Sequence, residues 1–227
     1  MRIFLTGGTG FLGKYFIKEA IKEGHELVCL CRKDCFNLED NNKNIHWIQK
    51  NINDLAKEDF FEIDGIVHLA SAGVCPKLAS IQELIETNIK GSMHLVRLGN
   101  LANIKRFVFA GTCHEYGESA NEYKYIPVTA PLKPLNSYAS SKVGCFFLLK
   151  QFCLENDIEL VYGRIFSAYG IGQDKRNFWQ GLYNSAIRGD DFEMTSGLQI
   201  RDFIKAEMVA VHLLQSLFRT DVKKGIP

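Results

Sequence analysis

Apolar residues along this chain fall into two kinds of segment that alternate from one end to the other. The short, nearly unbroken runs are RIFLT (2–6), ELVCLC (26–31), IHWIQ (45–49), DGIVHLA (64–70), RFVFA (106–110) and ELVYGRIF (159–166). Their length and their content of Val, Ile and Phe predict strands. Between them lie stretches with apolar residues at helical spacing. Residues 10–23 carry Phe11, Leu12, Tyr15, Phe16 and Ala20 at that spacing and stop at Gly24. Further helices are predicted over 80–100, 137–155 and 205–219, the second of these after a loop with Pro127, Pro131 and Pro134. Strands alternating with helices of this length predict an α/β fold, a parallel sheet wound by helices on both faces. No repeat or low-complexity tract interrupts the pattern.

Composition narrows the class of partner. A chain of 227 residues buries one sizeable core, which suggests one domain plus a partial second lobe. Lys and Arg number 27 against 26 Asp and Glu, with no run of like charge, so the electrostatic footprint of a nucleic-acid binder is missing. The opening MRIFLTGG reads as folded core rather than a leader, and no apolar stretch reaches bilayer-spanning length, so no membrane partner is expected. The seven cysteines, at 29, 31, 35, 75, 113, 145 and 153, are odd in number and lack CxxC spacing. That pattern predicts reduced, mostly buried thiols in a cytoplasmic protein, and no metal site.

The loop after the first strand, LTGGTGFLG, carries the first candidate chemistry. Gly7, Gly10 and Gly13 stand between a strand and a helix, and Gly8 adds the overlapping G-x-G-x-x-G spacing. One glycine makes the tight turn, one admits a pyrophosphate close to the backbone, and one lets helix and strand pack closely. The helix N-terminus then offers free N–H groups and a partial positive charge. A dinucleotide site is the reading, with a plain tight turn as the alternative. At the end of the second strand a carboxylate would bind the ribose 2′-hydroxyl of NAD. Here Cys31 stands where the acid would sit and the cations Arg32 and Lys33 follow it, which favours NADP(H) and leaves NAD(H) as the alternative.

Two later segments add reactive side chains. GTCHEYG (111–117) places Thr112, Cys113, His114, Glu115 and Tyr116 in consecutive positions, open to reading as a Cys-His nucleophile, a metal clamp or neither. Cys113 and His114 are immediate neighbours whose side chains diverge in extended chain, which weighs against the nucleophile. In NSYASSK (136–142), Tyr138 and Lys142 are four residues apart at a helix start and share one face. A free phenol has a pKa near ~10, and bringing it to neutrality requires roughly 4 kcal/mol of preferential stabilisation of the phenolate. A lysine ammonium one turn away and a cationic nicotinamide ring, in a water-poor cleft, are expected to supply it.

GGTGFLG, HLASAG (68–73), Asn88 of ETNIKG, GTCHEYG, YASSK, RIFSAYG (164–170) and GLQIRDFI (197–204) occur in family order over nearly the whole chain. With them the sequence resembles the extended short-chain dehydrogenase/reductase family, in its NAD-dependent epimerase/dehydratase branch acting on nucleotide sugars. The resemblance implies a Rossmann-type doubly wound sheet over residues 1–165. It implies a smaller substrate lobe over 166–227, with a helix returning to the core. It further implies that Thr112, Tyr138 and Lys142 are catalytic, Thr112 holding the reacting sugar oxygen. Implied cofactor contacts are Gly7, Gly10, Phe11, Leu12, Gly13, Arg32, Asn51, Ile52, Leu69, Ala70, Ser71, Asn88, Tyr138, Lys142, Ile165 and Phe166. Implied substrate contacts are Cys113, His114, Ser167 and Arg201, the arginine on the nucleotide diphosphate.

Departures from the family refine the expectation. Cys113 and His114 replace the acidic pair with which related dehydratases eliminate water, which argues against dehydration. Asn51 replaces an aspartate that contacts adenine, and Ser167 replaces a substrate-side asparagine. The chain stops at KKGIP, where family members continue with a further strand and substrate-lobe helices, so the lobe is expected to be shortened or truncated. The expected reaction is NADPH-dependent reduction of a nucleotide-linked 4-keto sugar, as in 4-reductases of the CDP-abequose synthase type. An NAD-retaining epimerase and a non-catalytic NAD(P)-sensing regulator are the alternatives; the intact tyrosine–lysine pair argues against the latter. Helices 80–101 and 137–155 carry more apolar residues than one buried face needs, and the family pairs these helices across a homodimer.

Overall fold

The structure is a computed structural model that describes residues 1–32, 42–74 and 78–219; Lys33, Cys35, Cys75 and residues 220–227 lie outside these. Six strands form one sheet: β1 (Arg2–Thr6), β2 (Glu26–Cys31), β3 (Ile45–Gln49), β4 (Gly65–His68), β5 (Arg106–Thr112) and β6 (Glu159–Ile165). Their order is β3-β2-β1-β4-β5-β6, and every pair is parallel. This is the doubly wound Rossmann-type arrangement.

Apolar runs become strands here because both faces are covered. Along β1, Ile3 and Leu5 pack on one face and Phe4 on the other; β5 repeats this with Val108 against Phe107 and Phe109. Helices α1 (Phe11–Lys22) and α6 (Ala206–Ser216) cover the first face through Phe16, Ala20, Val209 and Leu213. Helices α3 (Ser92–Leu101) and α4 (Ser137–Glu155) cover the second through Leu95, Val96, Phe146 and Leu149.

The chain runs outward from β1 to β3, then jumps back to lay β4 on the other side of β1. The strand order therefore reverses between β1 and β4, and the loops at their C-terminal ends part to leave a crevice, the usual ligand site in such sheets. The sequence expectation of one helix over 80–100 is corrected in detail. A four-residue α2 (Ile81–Leu84) leads into a π-helical segment, Ile85–Gly91, and then α3. Asn88 lies in the widened turn and is fully engaged in hydrogen bonds, which is where such bulges concentrate.

Beyond β6 the chain adds a two-stranded sheet, β7 (Ser167–Tyr169) with β8 (Phe203–Lys205), and helix α5 (Phe178–Arg188). The sequence pattern missed these, because three-residue strands carry no periodicity and α5 is interrupted by Gly181. Trp179 stacks on Tyr183 with centroids 5.2 Å apart, and Tyr169 meets Trp179 at 5.5 Å. The Tyr15 hydroxyl of α1 donates to Ile171 C=O over 2.8 Å, tying this region to the sheet.

Cys145 and Cys153 are free thiols and buried, Cys113 is a free thiol and half-buried, and Cys29 is buried. Cys31, however, is disulfide-bonded, which corrects the expectation of uniformly reduced thiols. Among the described residues, no helix is long and apolar enough to cross a membrane.

Candidate active site

The β1–α1 turn is built around absent side chains. Gly7 has φ +77°, and a Cβ there would stand 2.7 Å from Ala70 N and Leu69 C, on the loop that follows β4. A Cβ on Gly13 would come within 2.1 Å of Gly7 O, and one on Gly10 within 3.1 Å of the same oxygen. Only glycine lets α1 begin this close to the strand. The first helical bond is Lys14 N–H to Gly10 C=O, and no side chain caps the helix. The preceding N–H groups of Phe11, Leu12 and Gly13 thus face the crevice at the positive end of the helix dipole, a fit for a pyrophosphate.

The wall opposite is the loop after β4. Thr6 Oγ1 accepts from Ala70 N–H at 3.2 Å and lies 2.7 Å from His68 Nδ1, while His68 Nε2 lies 2.9 Å from Ser92 Oγ. Burial, and then the Lys142 charge, lower the His68 pKa from 6.5 to about 3. The folded protein therefore refuses a proton that the unfolded chain takes up. The stability His68 contributes is complete above pH 6.5 and is lost as pH falls from there towards 3. The loss amounts to roughly 4–5 kcal/mol when complete. In urea titrations from about pH 7 to about pH 4, we expect the unfolding free energy of His68→Gln to fall less steeply than that of the native chain. Equal slopes would contradict a neutral buried imidazole.

Asn88 closes the base of the crevice. Its amide donates to Ala72 C=O (3.1 Å) and Ser141 Oγ (2.9 Å) and accepts from Ala72 N–H (2.8 Å) and Ser71 Oγ (3.0 Å). All four of its hydrogen-bonding positions are used within the protein. Asn88, expected as a cofactor contact, thus fastens the β4 loop to α4 and shapes the site rather than presenting a free amide.

Helix α4 opens with Asn136 accepting from Ala139 N–H at 2.9 Å, which sets the first turn and with it Tyr138. The Tyr138 phenol faces the side chains of Ser71 and Thr112, whose hydroxyls favour its phenolate. One turn on, Lys142 is 3% exposed, and burial lowers its pKa. The chain's own groups shift Tyr138 in the direction opposite to the acidification expected with a nicotinamide cation beside it. Burial pushes the phenol up to about 12, the nearby Glu115 charge adds to this, and the hydroxyls of Ser71 and Thr112 oppose it. Desolvation of the phenolate outweighs the pull of the two hydroxyls.

Thr112 ends β5 and caps the short turn Cys113–Glu115: its Oγ1 accepts from His114 N–H at 3.3 Å, and Glu115 Oε1 accepts from Thr112 N–H at 2.9 Å. Glu115 is fully buried and paired with Arg164 Nε at 2.8 Å. Sequence reasoning passed over Glu115, Tyr162 and Arg164. The T-x-x-E spacing of Thr112 and Glu115 is a capping-box signature and was the available signal. Cys113 is half-buried; burial pushes its thiol up, against a weaker pull from the Thr112 hydrogen bond and the Arg201 charge. That environment disfavours a thiolate, and the His114 side chain is exposed.

The other expected site residues divide by position. Leu69, Ala70 and Ser71 line the crevice, and Ile165 and Phe166 follow the end of β6, with Phe166 6.4 Å from Tyr116. Arg32 is exposed just past β2; Asn51 is exposed, whereas Ile52 is core, packed where a Gly91 Cβ would strike it at 2.6 Å. Ser167 N–H donates to Asp202 C=O at 3.0 Å, which holds Ser167 beside the exposed Arg201.

Against this geometry, the model of the NAD dependent epimerase/dehydratase family matches residues 3–224. The chain belongs to this family. Among its family relatives, UDP-glucose 4-epimerase of Lactobacillus helveticus is 24% identical over 241 residues, covering 94% of this chain and 71% of the relative. The dTDP-D-glucose 4,6-dehydratase of Homo sapiens is 27% identical over 246 residues, covering 100% and 67%. Among solved structures, MoeE5 in complex with UDP-glucose and NAD superposes with a TM-score of 0.82 at 25% identity, over 97% of this chain and 73% of the other.

Proposed function

We propose that the chain transfers hydride at C4 of a nucleotide-linked sugar, and that it does so as an NADP(H)-dependent reductase of a 4-keto group. Residues 1–165 would hold the dinucleotide and 166–227 would form part of the substrate lobe. The observation that carries the reading is the Tyr138 phenol beside Thr112 at the glycine cradle, with Lys142 one turn behind. When bound, the reduced nicotinamide supplies the hydride. The chain's own residues do the rest. The N–H groups of Phe11, Leu12 and Gly13 hold the pyrophosphate, and Lys142 orients the adjoining ribose. Thr112 donates its hydroxyl proton towards the carbonyl oxygen, and Tyr138 gives up its proton as charge develops there. A phenol held at about 12 is protonated at neutral pH, the state a reduction requires at its start. Arg201, whose charge reaches Cys113, is suited to the diphosphate. Dehydration is not proposed, since neither Cys113 nor His114 supplies a carboxyl group.

A second reading, a 4-epimerase that retains NAD, uses the same residues and is favoured by the names of the relatives above. Exposed Arg32, with Cys31 rather than a carboxylate at the end of β2, supports NADP(H) against it. The test is product analysis by mass spectrometry after incubation with NADPH or NADH and a panel of nucleotide 4-keto and 4-hydroxy sugars. Net consumption of NADPH with a C4-reduced product supports the reductase. Interconversion of 4-hydroxy sugars without net consumption replaces it by the epimerase. Dinucleotide binding without any turnover leaves the regulator.

The same proposal includes a homodimer through helices 80–101 and 137–155. Phe147 and Leu148 on α4 are 56% and 50% exposed, and Ile81 and Ile85 across from them are 65% and 43% exposed. Apolar faces of this kind call for a partner. Sedimentation equilibrium should give twice the chain mass for the native protein and the single-chain mass for Leu148→Lys. A native protein already at the single-chain mass would contradict the pairing.

A further inference from the structure

Glu115 is a fully buried carboxylate at the centre of three elements. Its Oε1 accepts from Thr112 N–H and from the Tyr162 hydroxyl, both at 2.9 Å, and its Oε2 accepts from Arg164 Nε at 2.8 Å. The Tyr162 hydroxyl also reaches Lys142 C=O at 3.3 Å. The Arg164 guanidinium lies 4.5 Å from the Phe146 ring centroid and 5.3 Å from that of Tyr116. Gly111 leaves the room for this: a Cβ there would stand 2.3 Å from Tyr162 Cε1 and 2.8 Å from Glu115 Oε1. Glu115, directly and through Tyr162, thus joins β5, β6 and α4, among them the elements that carry Thr112, Tyr138 and Lys142.

Stability alone is a poor reason for such a group, because a buried ion pair is often no better than apolar residues of the same volume. Its placement on the backbone of Thr112 points elsewhere. We propose that Glu115, held by Arg164 and Tyr162, is a positioning residue that fixes Thr112 and sets the charge felt by Tyr138 and Lys142. This rests on the reading of Thr112 and Tyr138 as the donor and acid.

Two effects follow from the geometry. The bond to Thr112 N–H holds the turn in which Thr112 Oγ1 already accepts from His114 N–H, so the hydroxyl proton of Thr112 is directed into the crevice. The carboxylate also favours the neutral phenol of Tyr138 and the charged amine of Lys142, raising the pKa of each. The groups that face it are Arg164 and Tyr162 from β6 and Tyr138, Lys142 and Cys145 from α4.

The test compares the native protein with Glu115→Gln and Tyr162→Phe. Three readouts apply: NADPH binding by fluorescence, kcat on a nucleotide 4-keto sugar, and titration of Tyr138 by NMR of ring-labelled tyrosine assigned with Tyr138→Phe. In Glu115→Gln, kcat falls on the order of a hundred-fold, as expected for a misplaced reacting group. Its NADPH affinity stays within about 2-fold, and Tyr138 titrates at lower pH than in the native protein. Tyr162→Phe keeps both charges, so its Tyr138 titration stays close to native while kcat falls about 10-fold. A folded Glu115→Gln with native kcat and native Tyr138 titration overturns the proposal. Should Glu115→Gln fail to fold, native kcat in Tyr162→Phe overturns it. If the native protein turns over no nucleotide sugar, the functional reading fails by itself. The Tyr138 titration, which needs no substrate, then decides the proposal.

Discussion

Replacing Tyr138 by Phe should lower kcat for hydride transfer about 10²–10⁴-fold, the range supplied by a positioned general acid. The ring remains packed beside Gly73, whose Cβ would lie 3.4 Å from Tyr138 Cδ2, so the crevice keeps its shape. Only the oxygen shared with Ser71 and Thr112 disappears. Dinucleotide affinity in the variant should match that of the native protein, and KM should move far less than kcat, because the lost interaction belongs to the transition state. Steady-state kinetics paired with a fluorescence titration of NADPH check both halves. Equal loss of binding and turnover would mean the phenol shapes the cradle rather than the reaction.

The second large effect is expected at Gly13→Ala. A Cβ 2.1 Å from Gly7 O and 2.7 Å from Gly8 Cα cannot coexist with the turn, since both neighbours are backbone. Either α1 moves away from β1 or the turn opens, and in both cases the N–H groups lose their aim. NADPH affinity should fall at least about a hundred-fold, with overpacking costing about 1–3 kcal/mol of stability. Gly24→Ala is the control. Gly24 shares the φ of +77° found at Gly7 but has nothing within 4 Å of its Cβ position. It should cost about 1–2 kcal/mol from left-handed strain and leave dinucleotide binding untouched. A Gly13→Ala protein that binds NADPH as tightly as the native one would remove the cradle from the account.

How much of this was legible in the chain differs by feature. Five of the six sheet strands were legible as apolar runs packed within the sheet, and the edge strand β3 by its apolar residues interspersed with polar ones. The glycine turn was legible because its residues are required by contact distances, as the 2.1 Å at Gly13 makes plain. Tyr138 and Lys142 were legible as a pair because helical spacing brings them to one face. The π-helical winding at Ile85–Gly91 was not, since it answers to four bonds made by Asn88 with residues distant in sequence. The sign of the Tyr138 shift was also hidden, because it depends on burial and on the charge of Glu115 rather than on spacing to Lys142. Arg164 lies 49 residues from Glu115, and nothing local announces such a pairing.

The most direct test of the account is the fate of the hydride. With NADPH deuterated at the transferring position and a nucleotide-linked 4-keto sugar, the account predicts one deuterium at C4 of the product and none when Tyr138→Phe replaces the native protein. A protein that binds the dinucleotide yet returns the sugar without deuterium would contradict it.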